Sequence, residues 1–127
     1  MPSPEGGGAI LVVDDDVDVR QSLEAALELE GYGVVSAASG SEALDILRNA
    51  GPPVGVILLD LMMPGMDGWE FRRQQRQIPS AAGVPVVVLS AAGNLAGKLG
   101  DLAPDAFLSK PVGIEALVEA ISALRGG

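Results

Sequence analysis

Short, nearly unbroken apolar runs alternate along the chain with longer stretches whose apolar residues recur every three or four positions. Ala9 to Val13, Val54 to Leu59 and Pro85 to Leu89 are almost wholly Val, Ile and Leu, the pattern of parallel strands buried on both faces. Gly33 to Ala37 and Ala106 to Leu108 are weaker runs of the same kind. Between them, Val19, Leu23, Ala26 and Leu27 fall on one face of a predicted helix that Gly31 stops. Ser39 followed by Glu42 fits a capping box for a second helix carrying Ala43, Leu44 and Leu47, ended near Gly51, Pro52 and Pro53. Asp67 with Glu70 is placed to cap a third helix that runs toward Gln77 and stops before Pro79. Ile114, Leu117, Val118, Ile121 and Leu124 make a final amphipathic helix. The poorest helix is expected between Asn94 and Pro104, where Gly97 and Gly100 each cost about 1 kcal/mol relative to Ala.

Five β/α units in succession, connected by right-handed crossovers, give an α/β fold: a doubly wound, five-stranded parallel sheet between two helical layers. The expected strand order is flavodoxin-like, 2-1-3-4-5, with five helices. Residues 1–8 read as a flexible Gly- and Pro-rich tail and 9–125 as one domain. In such sheets ligands bind beyond the carboxyl ends of the strands, at the switch point between the first and third.

Composition narrows the chemistry. The 127 residues include no His and no Cys, which removes an imidazole base, a thiolate nucleophile and any His- or Cys-held metal. With 17 acidic residues against 8 basic, the net charge of −9 opposes direct nucleic-acid binding. The apolar runs are too short to span a bilayer, which needs about 20 residues. Met1 to Gly8 has neither the basic nor the apolar region of a signal peptide. A cytoplasmic location without membrane insertion is the expectation.

The strand ends carry what chemistry remains. The first strand is followed by Asp14, Asp15 and Asp16, the third by Asp60, the fourth by Ser90 and the fifth by Ser109 and Lys110. Carboxylates crowded at one switch point require protonation or a cation. An all-oxygen ligand set favours a hard divalent ion such as Mg²⁺. A metal beside a hydroxyl and an ammonium is a place for a phosphoryl group, and Asp can be its nucleophile.

Val12-Val13-Asp14-Asp15, then Asp60-Leu61-Met62-Met63-Pro64-Gly65-Met66-Asp67-Gly68, then Leu89-Ser90-Ala91, then Lys110-Pro111, each at a strand end, resemble the receiver domain of two-component response regulators, the CheY-like family. The likeness runs from about Ile10 to Leu124. It implies that Asp60 accepts a phosphoryl group from a sensor histidine kinase or phosphotransfer protein. Mg²⁺ would be held by Asp14, Asp15, Asp60 and the backbone carbonyl of Met62. Ser90 and Lys110 would contact the phosphoryl oxygens, and the Lys110-Pro111 peptide would be a candidate cis bond. Ser90 and Phe107 would form the switch that alters a surface made by the fourth helix, fifth strand and last helix. A downstream effector protein or domain, or a second copy in a dimer, would read that surface. The chain would catalyse only its own phosphorylation and dephosphorylation.

Each of these residues also has a plainer reading. Asp16 or Asp18 suits a helix cap, Phe107 suits the core, and Met62, Met63 and Met66 suit packing. Arg72, Arg73 and Arg76 read as a solvated helix face, and Trp69 as half exposed. Ser90 to Lys110 is tighter than the family's usual spacing, which bears on the output face, and Val112 stands where the family often has Phe, a small loss of packing. A pseudo-receiver acting by binding alone, or a receiver cut from a larger regulator or hybrid kinase, are the alternatives. A phosphohydrolase would want a second carboxylate where Met62 stands, and a flavodoxin-like cofactor binder a phosphate loop where three Asp stand.

Overall fold

A computed structural model of the chain describes residues 8–49, 53–61, 65–90, 104–109 and 112–124. The element order is β1 (Ala9–Val13), α1 (Val17–Leu29), β2 (Val34–Ala37), α2 (Gly40–Arg48), β3 (Val54–Asp60), α3 (Gly68–Gln75), β4 (Val86–Ser90), β5 (Ala106–Ser109) and α4 (Ile114–Leu124). All five strands are parallel, in the order β2-β1-β3-β4-β5. Five strands and four of the five expected helices thus stand where the apolar pattern puts them. The helix expected between Asn94 and Pro104 falls outside the described residues.

Alternation along each strand builds two cores. Leu11, Val13, Ile57, Leu59, Val86 and Val88 face the layer that holds Ala43, Leu44, Leu47 and Phe71 of α2 and α3. Their neighbours Ile10, Val12, Val56, Leu58, Val87 and Leu89 face Leu27 of α1 and Leu117 and Ile121 of α4. Burial on both faces explains why these strands read as continuous apolar runs. Each fully buried Leu, Ile or Val contributes about 1.5–3 kcal/mol of transfer free energy.

The helix starts follow local chemistry. Asp16 caps α1, its Oδ1 accepting from the Asp18 N–H at 2.9 Å and the Val19 N–H at 3.3 Å. Ser39 caps α2, its hydroxyl oxygen accepting from the Glu42 N–H at 3.1 Å. The Glu42 carboxylate accepts from the Ala38 N–H at 2.8 Å, one residue before the cap. Asp67 caps α3, accepting from the Glu70 N–H at 3.0 Å. The Glu70 carboxylate does not complete that box; it pairs with Arg73 and Gln74 further along the helix. Hydrogen bonds from Arg73, then from Gln74, hold the Glu70 carboxyl below its ordinary value.

Arg72 departs from the expectation of a solvated arginine face. Only 7% of it is exposed, because Gly68, Phe71, Arg72 and Gln75 together form the inward side of α3. Its guanidinium donates to Gln75 Oε1 at 2.9 Å and lies 3.6 Å from Asp105 Oδ2. Gln75 in turn donates to the carbonyls of Ala81 and Val84, and Asp105 accepts from the Val86 N–H at 2.8 Å. Burial, with Arg76 adding to it, lowers the Arg72 pKa, while Asp105 opposes the shift. A polar network therefore ties α3 to the starts of β4 and β5.

Candidate functional site

β1 and β3 are neighbours at the centre of the sheet, with Val13 opposite Leu59. The next residue on each strand, Asp14 and Asp60, therefore emerges at one edge, where the strand order reverses. There Asp14, Asp15 and Asp60 present carboxylate oxygens that all lie within 4.8 Å of one another. Asp14 is 1% exposed and Asp60 7%, whereas Asp15 is open to solvent. Two buried carboxylates and a third beside them repel strongly in a medium of reduced dielectric. A hard cation relieves that repulsion, and a set made wholly of carboxylate oxygens fits Mg²⁺ better than a metal that seeks nitrogen or sulfur.

The β1–α1 turn is held by a chain of hydrogen bonds. Asp14 donates its N–H to the Ala37 carbonyl at 3.2 Å. Its Oδ1 accepts from the Asp16 N–H at 2.9 Å, and its carbonyl accepts from Arg20 Nη1 at 2.8 Å. The β3–α3 side is fixed by close packing. Leu61 donates its N–H to the Leu89 carbonyl at 3.4 Å, and Gly68 donates its own to the Leu61 carbonyl at 3.1 Å. A methyl on Gly68 would lie 2.5 Å from Leu61 Cδ2, and one on Gly40 would lie 2.8 Å from Met66 Sδ. Two glycines thus let α3 close onto Leu61 and α2 onto Met66, and Met66 is the packing residue expected of it.

β4 and β5 end at the same edge. Asp60 is opposite Leu89, and the next β4 residue, Ser90, is opposite Ser109 of β5. Lys110, Pro111, Met62 and Met63 lie outside the described residues. Phe107, opposite Val88, is partly buried against the α2/α3 core. Trp69 is likewise partly buried against that core. Sequence reasoning missed the contact from Arg20, six residues after Asp14. It also missed the inward position of Arg72, although the helical phase set by Phe71 contains that signal.

A family profile for the response regulator receiver domain matches residues 10–122. The chain belongs to the response regulator receiver family. Among curated relatives, the response regulator MprA of Mycobacterium sp. (strain KMS) is 40% identical over 117 residues, 91% of this chain and 49% of that protein. The chain thus spans about half the length of the curated relatives it matches. Among solved structures, chemotaxis protein CheY4 of Vibrio cholerae superposes with a TM-score of 0.83 at 29% identity, covering 91% of this chain and 97% of that one. The receiver domain of the Pseudomonas aeruginosa PAO1 sensor histidine kinase PA1611 superposes with a TM-score of 0.85 at 26% identity, covering 96% and 100%. That structure holds a magnesium ion coordinated in its active site cleft. The chain is a receiver, a signalling domain with the CheY-like fold. No described helix is long and apolar enough to cross a membrane.

Proposed function

We propose that this receiver accepts a phosphoryl group on Asp60 in a Mg²⁺-dependent reaction and changes its protein-binding surface in response. The observation that carries the reading is the meeting of the Asp14, Asp15 and Asp60 carboxylates at the β1/β3 switch point. A carboxylate oxygen of Asp60 attacks phosphorus in line as the bond to the donor's nitrogen or oxygen breaks, the electron pair leaving with the donor. Asp14, Asp15, Asp60 and the backbone carbonyl of Met62 would hold Mg²⁺, which when bound would neutralise charge on the phosphoryl oxygens. The Ser90 hydroxyl donates to one of those oxygens and the Lys110 ammonium pairs with another, the Lys110-Pro111 peptide being a candidate cis bond.

The acyl phosphate adds about −1.5 to −2 charge at this edge of the sheet. Ser90 moves toward it and Phe107 turns into the space released, which shifts the population between two packings of β5 and its flanking helices. In this reading the donor is a sensor histidine kinase or phosphotransfer protein, and the reader is an effector protein, an effector domain or a second copy. In this reading the reaction is cytoplasmic and residues 9–125 are the receiver unit. Peptide mapping after incubation with acetyl phosphate and Mg²⁺ tests the acceptor. The phosphoryl group is expected on the peptide carrying Asp60, and finding it on Asp14 or Asp15 instead would overturn the assignment.

A further inference from the structure

The peptide unit between Asp14 and Asp15 joins two proposed metal ligands directly, so its orientation sets the direction of both side chains. Asp14 already has its N–H bound to Ala37 and its Oδ1 bound by Asp16. The peptide carbonyl itself accepts 2.8 Å from Arg20 Nη1, a half-buried guanidinium on the first turns of α1. A hydrogen bond from a charged donor is roughly twice as strong as a neutral one. It fixes ψ of Asp14 and φ of Asp15 together, from a helix that Asp16 caps immediately afterwards.

We propose that Arg20 is a positioning residue for the metal site, holding the Asp14–Asp15 peptide so that both carboxylates meet Asp60. This rests on the reading of that site given above. The charge of Arg20 acts in the opposite sense to its hydrogen bond. As a nearby cation it disfavours a divalent ion, whereas as a clamp it prepares the ligands for one. Removal of the side chain therefore gives a sign that separates the two roles.

Titration calorimetry of the wild-type chain, R20A and R20K with MgCl₂ tests the proposal, with circular dichroism confirming the fold. R20A is expected to bind Mg²⁺ about tenfold more weakly, the lower end of the loss seen when groups behind metal ligands are removed. R20K should recover part of that affinity, because an ammonium can donate to the same carbonyl. In acetyl phosphate labelling, the half-saturating Mg²⁺ concentration should rise in R20A much more than the rate at saturating Mg²⁺ falls. Were Arg20 only a staple between α1 and the sheet, R20A would melt earlier but keep wild-type Mg²⁺ affinity, and the proposal would be overturned. Tighter binding by R20A would overturn it too, leaving Arg20 as a competing cation. If R20A does not fold, R20M replaces it, keeping the aliphatic stem without a donor, and unchanged affinity in R20M has the same meaning. A wild-type chain that takes up no Mg²⁺ would overturn the metal-site reading itself, a result distinct from a normal wild-type titration matched by R20A.

Discussion

A methyl group on Gly68 would lie 2.5 Å from Leu61 Cδ2 and 3.1 Å from Leu61 Cα. The second contact is with backbone, so Gly68→Ala must push α3 away from the end of β3, next to Asp60. A loss of about 1–3 kcal/mol follows from overpacking of this kind, measurable by urea denaturation, together with slower labelling of Asp60. An unchanged unfolding midpoint would show that the loop yields without cost. Gly8 is constrained in a different way. Its φ is +73° and a Cβ would lie 2.9 Å from both the Gly55 nitrogen and the Pro53 carbonyl oxygen, so no other residue joins the start of β1 to β3 without strain.

At the scale of elements, caps and the buried polar network carry the predictions. Ser39→Ala removes the acceptor for the Glu42 N–H and should cost about 1 kcal/mol, read from the urea midpoint. Asp105→Ala leaves Arg72 buried beside a lost carboxylate and also orphans the Val86 N–H. It should cost about 1–3 kcal/mol, read from the urea midpoint, and an unchanged midpoint would show that the Asp105 carboxylate adds nothing to the network. Glu70 gives a dependence on pH. Its carboxyl is held below the ordinary glutamate range by hydrogen bonds from Arg73 and Gln74, so its contribution is present above that range and fades as pH falls through the folded-state pKa. The stability gap between wild type and Glu70→Gln should therefore close on acidification.

These elements also show what the sequence makes legible. β1 and α4 occupy the residues the apolar pattern marks, because continuous Val, Ile and Leu and a clean helical stripe each have one packing solution. Ser39, Asp67 and Asp16 announce their helices because capping chemistry is local. Arg72 did not announce its burial, since residue type points outward while only the phase set by Phe71 points inward. The clamp from Arg20 to Asp14 was not legible either, because a contact to a backbone carbonyl places no demand on the type of residue that offers it. The convergence of Asp14 and Asp60 was legible only through topology, given that 46 positions separate them along the chain.

For the molecule as a whole, a net charge of −9 with three carboxylates gathered at one sheet edge makes divalent cations the natural stabilising ligand. At about a hundredfold excess over its dissociation constant, Mg²⁺ should add about 2.7 kcal/mol to folding stability, seen as a rise in melting temperature. Asp15→Asn should lose most of that rise, and an equal rise in the variant would move the ion elsewhere. The most direct test of the central claim is the intact mass of wild type and Asp60→Asn after acetyl phosphate treatment, each with and without Mg²⁺. The account predicts a single phosphoryl adduct in wild type with Mg²⁺ and none in the other three samples. An adduct on Asp60→Asn, or no adduct in any sample, would contradict it.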